Sequence, residues 1–374
     1  MNKTPYGQTG LDVSVVGFGG MRFDTSRSDE ENADLVRYAC EQGINYFDTA
    51  PGYCGDRSED IFGEAFKHMP GDFFVSTKGM PTSFDTADKA YEAVCRSLER
   101  LHVACIDFYH VWCLRKMAHY ELAVQPGGQL DGLRRARQEG LIKHIVCSTH
   151  QPGKDVERIL SKDEFEGVLL GVNILNFPYR WDGLVAAKER ACGVVAMNPL
   201  AGGAIPRHEE EFAFLATGDE TATDAALRFV IGCPLIDIAL VGFTTTAHVD
   251  QACRAAEQAQ PLSAAEITRL RGVLGENLNE MCTACGYCRG CPEHIPVASY
   301  MQFYNNKVLF GKSDEEMRKS IGGELAWGIL VGCEVGAGAC TECGRCEEAC
   351  TQHLPIISRL KEIAVWEAGH SRPA

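Results

Sequence analysis

The segment INYFDTA (residues 44–50) is a short apolar run that ends in polar residues, and it is one of eight such runs. Between the runs lie amphipathic segments with helical periodicity, such as ADKAYEAVCRSLERL (87–101) and GLVAAKERAC (183–192). Short, nearly continuous apolar strands are typical of parallel sheets that are covered on both faces. The other seven runs are VVGFGGM (15–21), FFVSTKG (73–79), IDFYHVW (106–112), HIVCSTH (144–150), GVLLGVNIL (167–175), GVVAMNPL (193–200) and IDIALVGF (236–243).

Eight strand–helix units over about 250 residues predict an α/β fold, a (β/α)8 TIM barrel. An open, doubly wound sheet is the alternative, but GFGGMR (17–22) lacks the G-x-G-x-x-G spacing of dinucleotide-binding sheets. The segment QPLSAAEITRLRGVLGENLNEM (260–281) predicts a bridging helix, after which the composition changes. We therefore predict a barrel in residues 1–262. A linker helix and a small, mostly helical second domain are predicted in residues 263–374.

The composition restricts the partners of the chain. Its 374 residues carry a net charge of -15, which argues against nucleic acid and anionic membranes as partners. The chain lacks an apolar run long enough to span a bilayer and starts without an apolar leader. Its 18 cysteines are many for such a sequence. These features predict a cytoplasmic protein in which clustered cysteines bind metal and do not form disulfides.

Eight cysteines form two tight runs, CTACGYCRGC (282–291) and CTECGRCEEAC (340–350). The second run has the C-x2-C-x2-C-x3-C spacing of bacterial [4Fe–4S] binding, and the first is one residue shorter. We expect two [4Fe–4S] clusters, with Cys291 serving the second cluster and Cys350 the first. Zinc held by four thiolates is the alternative. The predicted ligands are Cys282, Cys285, Cys288, Cys291, Cys340, Cys343, Cys346 and Cys350.

Residues 1–258 resemble an aldo-keto reductase, and the whole chain is similar to the subgroup that has a C-terminal ferredoxin domain. The resemblance rests on GINYFDTAPGYCGDRSEDIFGEAF (43–66), VSTKG (75–79), SLERLHVACIDFYHVW (97–112), GLIKHIVCSTH (140–150) and ALVGFTTTAHVDQ (239–251). It implies that Tyr53 is a general acid tuned by Lys78 and Asp48. A phenol has a pKa of about 10, and a neighbouring ammonium is expected to lower it.

The segment IDFYHVW departs from the family pattern. The resemblance places the family's substrate-orienting histidine at Trp112, whereas His110 lies two residues earlier. An indole donates a hydrogen bond but does not titrate, so Trp112 is expected to line the substrate pocket. Two interpretations stay open. Either His110 acts catalytically from a deeper position, or the reaction has changed, for example to reduction of an activated C=C bond.

The resemblance also implies a nicotinamide nucleotide. Ser148, Thr149 and Asn173 correspond to the residues that bind the nicotinamide, and NPLAGG (198–203) to the loop over the pyrophosphate. His248 stands where the family often has an arginine, and Gln251 where it has an acidic residue, so NADP, NAD and no nucleotide all stay open. The other candidate nucleotide-binding residues are Gly202, Gly242, Phe243, Thr244 and Thr245.

These features predict an oxidoreductase that reduces a carbonyl or an activated C=C bond in the barrel. Electrons would come from a nicotinamide nucleotide, from the clusters, or from both, with an external ferredoxin or flavodoxin as a possible donor. The alternative is an electron-transfer or redox-sensing iron–sulfur protein whose barrel is not a reductase.

Overall fold

The strands close into a barrel of eight parallel strands, in the order β10-β3-β4-β5-β6-β7-β8-β9, in the computed structural model. The structure describes residues 1–69, 71–115, 117–151, 153–274, 280–282, 286–327, 329–330 and 333–370. Closure confirms the TIM barrel and rules out the open sheet. The strands are β3 Val16–Gly19, β4 Tyr46–Asp48, β5 Phe74–Gly79, β6 Ile106–Val111, β7 Ile142–Thr149, β8 Gly167–Gly171, β9 Gly193–Met197 and β10 Ile238–Val241.

A small antiparallel hairpin of strands β1 (Lys3–Pro5) and β2 (Asp12–Ser14) precedes the barrel. Just after β1, the fully buried Tyr6 packs against Phe108, with ring centroids 4.5 Å apart. A Cβ at Gly167 or Gly193, the first residues of β8 and β9, would lie 2.2 Å from the Tyr6 side chain. Tyr6 therefore fills the amino-terminal end of the barrel, opposite the carboxyl ends that carry TIM-barrel active sites.

The helices of the first part of the chain follow the strands as the periodicity predicts. The first of them starts at a capping box in which Ser28 and Glu31 bond each other's backbone N–H, which satisfies two exposed donors. The helices are α1 Asp29–Glu41, α2 Ser58–Phe66, α3 Ala87–Leu101, α4 Met117–Val124, α5 Gln129–Gln138, α6 Gly153–Leu160, α7 Phe177–Glu189, α8 Ala204–Arg207, α9 Ala222–Gly232, α10 Thr246–Gln258 and α11 Ala264–Leu274.

The chain divides into two compact units, Met1–Ile267 and Thr268–Ala374. The described part of the second unit is helical, as expected, with α12 Val297–Phe310, α13 Asp314–Trp327, α14 Arg345–Ala349 and α15 Ile356–Glu367. Its core contains Phe303, Trp366, Cys288 and Cys350. Among the described residues, no helix is both long enough and apolar enough to cross a lipid bilayer.

Candidate active site and cysteine centre

A buried ion pair lies at the carboxyl ends of two neighbouring barrel strands. Lys78 Nζ on β5 lies 2.6 Å from Asp48 Oδ1 and 2.5 Å from Oδ2, and both side chains are buried. Ser76 Oγ donates a hydrogen bond of 2.7 Å to Asp48 Oδ1. Burial raises the pKa of Asp48 although Lys78 lowers it, and burial lowers the pKa of Lys78 although Asp48 raises it. The structure thus brings together two of the predicted catalytic residues.

Tyr53 lies beside this pair, on the loop that follows β4. Lys78 Nζ is 5.6 Å from the centre of the half-buried phenol ring. Burial, followed by the Asp48 carboxylate, raises the pKa of Tyr53 well above its ordinary value. Burial thus outweighs the lowering of this pKa that was expected from Lys78, whose ammonium is paired with Asp48. Tyr53 holds its proton at neutral pH.

The loop that carries Tyr53 is held in an unusual backbone conformation. Asp56 has a φ of 69°, a left-handed value that disfavours L residues. Its Oδ1 accepts hydrogen bonds from Gly52 N (2.8 Å) and from Arg100 Nη1 (2.9 Å). Arg100 Nη1 also bonds the buried carboxylate of Glu59 at 3.2 Å. Sequence inspection missed Arg100, since an arginine near the end of an amphipathic helix looks like a solvent-facing residue.

His110 and Trp112 take different positions at the end of β6. The Trp112 ring lies edge-on to Tyr53, with centroids 5.6 Å apart and an interplanar angle of 84°. His110 is fully buried and pairs in register with Lys78 on β5. Its Nε2 lies 2.9 Å from Ser76 Oγ and 3.9 Å from Asp48 Oδ1. Trp112 is therefore next to the phenol, and His110 lies behind the ion pair.

Neutral His110 cannot hydrogen-bond to both of its neighbours while Ser76 donates its proton to Asp48. Its Nδ1 lies 3.2 Å from the Cys147 carbonyl, which only accepts hydrogen bonds. If Ser76 donates its single proton to Asp48, then Nε2 must carry the imidazole proton and Nδ1 faces the carbonyl without one. Protonation would satisfy both sides, but burial and then Lys78 hold the pKa of His110 well below its ordinary value. The lowered pKa therefore keeps the imidazole neutral at neutral pH.

The residues predicted to bind the nicotinamide lie at the carboxyl ends of β7 and β8. Ser148 Oγ accepts from Cys113 N at 2.9 Å, and Thr149 Oγ1 donates to Leu114 O at 2.7 Å. Asn173 Nδ2 donates to a backbone carbonyl of the next βα loop at 3.0 Å. All three side chains are buried. They hold the loops after β6 and β9 in place at the mouth of the barrel.

The predicted phosphate-binding loop leads into α10. Thr245 caps the helix, accepting from His248 N at 3.3 Å, and Thr244 Oγ1 lies 3.1 Å from His248 Nδ1. Gln251 donates to Asp224 at 2.8 Å, so it supports a neighbouring helix. Phe243 is buried against the ring of Phe18 at 5.1 Å. Only the backbone of Phe243 is therefore available to a ligand.

Two arginines beside this loop were missed by sequence inspection. Arg27 Nη1 donates to Thr244 O at 3.4 Å and also pairs with Asp24. A Cβ at Gly242 would lie 2.6 Å from Arg22 Cγ, so the Arg22 side chain crosses over this glycine. Both arginines come from the segment between β3 and α1. Gly202, with a φ of 69°, lies in the separate turn after β9.

Four predicted cysteine ligands line one pocket of the second unit, together with Pro292 and Leu360. They are Cys291, Cys340, Cys343 and Cys346, so the last cysteine of the first run joins the first three of the second. Four soft thiols around one pocket fit an iron–sulfur cluster. Among the described residues, no three His, Cys, Asp or Glu side chains are arranged to hold a single metal ion.

Two of the four remaining predicted ligands are more deeply buried. Cys288 and Cys350 are buried in the core of the unit, whereas Cys343 is exposed. Leu354 N donates to Cys350 Sγ at 3.4 Å. Cys282 is described and half-buried, and Cys285 lies outside the described residues.

Comparisons with known proteins agree with this architecture. The model of the Aldo/keto reductase family matches residues 15–274, and that of a 4Fe-4S dicluster domain matches residues 281–361. The uncharacterized oxidoreductase YqkF of Bacillus subtilis is 28% identical over 213 residues, 54% of this chain and 66% of its own length. L-Galactose dehydrogenase of Arabidopsis thaliana is 28% identical over 294 residues, 68% of this chain and 88% of its own.

Solved structures share the fold of the barrel. The holo form of aldo-keto reductase AKR11C1 from Bacillus halodurans has a TM-score of 0.63 at 23% identity, covering 73% of this chain and 96% of its own. An aldo/keto reductase from Klebsiella pneumoniae in complex with NADP and acetate has a TM-score of 0.60 at 18% identity, with the same coverage. Because the family match covers more than half of its length, this chain belongs to the aldo/keto reductase family of oxidoreductases, and a 4Fe-4S dicluster domain follows the barrel in the sequence.

Proposed function

We propose that the barrel reduces a carbonyl or an activated C=C bond, with Tyr53 as the proton donor. The observation that carries the proposal is the convergence of Tyr53, Lys78, Asp48 and Trp112 at the carboxyl ends of the strands. Reduction of a carbonyl adds a hydride to carbon and a proton to oxygen, and a bound nicotinamide would supply the hydride. The raised pKa keeps Tyr53 protonated until the substrate oxygen becomes negative.

Lys78 and Asp48 prepare the site for the loss of that proton. The phenolate left on Tyr53 would be stabilised by the ammonium 5.6 Å from the ring centre. Asp48 keeps Lys78 charged and in place against the cost of burial. Because both charges are held before the reaction starts, little reorganisation accompanies proton transfer.

His110 acts in this proposal as a positioning residue, and Trp112 contacts the substrate. His110 is fully buried and reaches Asp48 through Ser76, so it orients the carboxylate. The indole of Trp112 stands at the edge of the phenol and forms a wall of the pocket. A flat apolar wall in place of an imidazole suits a conjugated substrate, which favours the activated C=C bond within this proposal.

We propose NADP(H) as the nucleotide. Arg22 and Arg27 beside Gly242 and Thr244 supply the positive charge that a 2′-phosphate needs, in place of an arginine at His248. The amino-terminus of α10 adds backbone N–H groups for the same anion. The Klebsiella pneumoniae neighbour was solved with NADP. Ser148, Thr149 and Asn173 would surround the nicotinamide, with Gly202 under the pyrophosphate.

The second unit (Thr268–Ala374), called the cysteine unit below, is proposed to hold two [4Fe–4S] clusters that carry one electron each. Cys340, Cys343, Cys346 and Cys291 would bind the second cluster, as their shared pocket supports. Cys282, Cys285, Cys288 and Cys350 would bind the first. An external ferredoxin or flavodoxin would exchange electrons with the second cluster, since Cys343 is exposed. This proposal divides the chain functionally into residues 1–262 and 263–374, and places it in the cytoplasm.

A second candidate function is electron transfer or redox sensing, with a barrel that is not a reductase. The burial of His110 and the presence of Trp112 at the family's histidine position favour it. Anaerobically purified protein with confirmed iron and sulfide separates the two. The protein is mixed with NADPH and, in turn, with each member of a panel of aldehydes, ketones and enones. The absorbance of the nucleotide and that of the clusters are followed over time.

We expect NADPH oxidation with at least one member of the panel, in parallel with formation of the reduced product. If no substrate is reduced, while dithionite still bleaches the clusters, the reductase proposal fails and the electron-transfer candidate remains. NADH in place of NADPH tests the nucleotide, and equal rates with both would contradict the role given to Arg22 and Arg27.

A further inference from the structure

The loop that carries Tyr53 is built largely from residues with a left-handed backbone. Gly52, Cys54, Gly55 and Asp56 have φ values of 82°, 53°, 67° and 69°. Glycine adopts such values readily, whereas Cys54 and Asp56 adopt them at a cost in free energy. A loop of this kind keeps its shape only where the surrounding structure holds it. The position of the Tyr53 phenol therefore depends on the contacts that fix this loop.

Asp56 closes the loop with its own side chain. Its Oδ1 accepts a hydrogen bond from Gly52 N at 2.8 Å, so one carboxylate oxygen joins the chain on the two sides of Tyr53. The same oxygen accepts from Arg100 Nη1 at 2.9 Å, and Arg100 Nη2 donates to the Asp56 carbonyl. Arg100, in the last turn of α3, thus holds both the side chain and the backbone of Asp56.

The guanidinium of Arg100 is itself held in a fixed direction. Its Nε and Nη2 bind the two carboxylate oxygens of Asp60 at 3.1 and 2.6 Å, and Nη1 also donates to Glu59 Oε2 at 3.2 Å. Together with the bonds to Asp56, these contacts occupy all the N–H groups that a guanidinium offers. A planar fork with partners on every side holds its direction far better than a single exposed ion pair.

Glu59 connects Arg100 to the strand that carries Lys78. The Glu59 side chain is 1% exposed, and its Oε1 accepts from Thr77 Oγ1 at 2.8 Å. Thr77 directly precedes Lys78 on β5. Arg100 is therefore fixed relative to β5, and it fixes the Tyr53 loop relative to the same strand.

We propose that Arg100 and Asp56 are positioning residues for proton transfer by Tyr53. The inference rests on the role of Tyr53 as proton donor in the proposed function. A donor must lie within hydrogen-bond reach of the substrate oxygen, and a displacement of about 1 Å can lower a rate about 100-fold. Arg100 and Asp56 act through the loop, by keeping the phenol ring 5.6 Å from Lys78 Nζ.

The test compares single-turnover rates of reduction by the whole chain, purified anaerobically, with NADPH and the best substrate of the panel. A high enzyme concentration makes the rates of slow variants measurable. The variants are Arg100→Met, Arg100→Lys, Tyr53→Phe and the double variant Arg100→Met with Tyr53→Phe. Arg96→Met is the matched control, because Arg96 lies one turn earlier on α3 in an exposed pair with Glu92. The Kd for NADPH is measured for each protein.

We expect Arg100→Met to lower the rate by at least about tenfold and to leave the Kd for NADPH unchanged. Arg100→Lys keeps the charge but loses the planar fork, so it should stay impaired. In the Tyr53→Phe background the change at Arg100 should have little further effect, because the hydroxyl that it positions is absent. A general loss of structure would instead lower the rate by the same factor in both backgrounds.

A second pair of variants tests the loop and leaves the cation of the buried Glu59 in place. Asp56→Ala removes the acceptor for Gly52 N and should lower the rate as Arg100→Met does. Asp56→Asn keeps an acceptor and a side chain that tolerates a left-handed backbone, so it should keep most of the wild-type rate. This pair also decides the question if Arg100→Met does not fold.

A wild-type rate in Arg100→Met or in Asp56→Ala would overturn the inference, and so would an equal loss in the two Tyr53 backgrounds. In either case an impaired Tyr53→Phe variant would leave the proposed function intact. If Tyr53→Phe keeps the wild-type rate, or if the wild type reduces no member of the panel, the proposed function fails and this inference fails with it.

Discussion

The barrel mouth and the cysteine unit assemble their sites in opposite ways. Asp48 and Lys78 come from different strands, 30 residues apart, and meet only because β4 and β5 pair side by side in the sheet. Cys340, Cys343 and Cys346 lie within one short run and line one pocket together. The barrel site depends on long-range packing, and the cysteine site on local spacing. Changes at the barrel mouth should therefore affect stability and catalysis together, as the following predictions test.

Removal of Lys78 should have the largest effect, a loss of unfolding free energy. In Lys78→Met the Asp48 carboxylate stays buried without its cation, and breaking a buried pair in this way costs about 3–5 kcal/mol of unfolding free energy. Anaerobic urea unfolding at neutral pH, followed by circular dichroism, measures it. Lys89→Met removes an exposed lysine paired with Asp85 and should cost about 0–1 kcal/mol. An equal loss in both variants would show that the pair is not structurally important.

Tyr53→Phe removes the proposed proton donor and leaves the ring in place against Trp112. Loss of a general acid lowers turnover by about 10²–10⁴-fold, so kcat should fall by that factor while nucleotide affinity is retained. The substrate is the best one found in the panel of aldehydes, ketones and enones. Tyr38→Phe is the matched control, since that phenol bonds Asp250 on the outer helices. Full activity in Tyr53→Phe would end the general-acid proposal.

His110 should make the protein less stable in mild acid. Burial and Lys78 keep the pKa of His110 well below its ordinary value of about 6.5, so the unfolded chain binds a proton that the folded one does not. Unfolding free energy must then decrease as the pH falls below about 6.5, by up to about 1.4 kcal/mol per pH unit for this group. His150, whose pKa burial and Arg180 lower to about 3, adds to the same trend.

The matched variant is His110→Gln, which keeps a polar side chain without a titrating ring. Urea unfolding at several pH values between 7 and 5 should show a shallower decrease than in the wild type. His208→Gln, a change at an exposed position, is the control. A parallel slope in His110→Gln would mean that His110 becomes protonated in the folded protein.

Arg27→Ala should have the smallest effect, a change in nucleotide affinity that differs between NADPH and NADH. Removing one charge-assisted contact to a phosphate should raise the Kd for NADPH by about tenfold and leave that for NADH nearly unchanged. Fluorescence titration of the whole chain measures both constants. Arg158→Ala, in an exposed pair with Asp155, is the control. An equal change for both nucleotides would place Arg27 away from the 2′-phosphate.

Much of the fold could be predicted from local patterns. Each of the eight apolar runs overlaps one barrel strand, although β7 begins two residues before its run, and the predicted helix over 87–101 coincides with α3. The bridging helix predicted over 260–281 appears as α11, Ala264–Leu274. Period and spacing are properties of neighbouring residues, so the sequence shows them directly. The two cysteine runs could be found in the sequence for the same reason, because their spacing is local.

The sequence by itself determined the order of the strands and helices, the family motifs and the two cysteine runs. Only the tertiary structure decided that His110 is linked to Asp48 by hydrogen bonds through Ser76. It also decided that the pKa of Tyr53 is raised and not lowered. It also brought Arg27 to Thr244, and Arg100 to Asp56. These contacts join residues between 28 and 217 positions apart. Burial, charge pairing and hydrogen bonding over such separations arise only when the chain packs, and no local pattern records them.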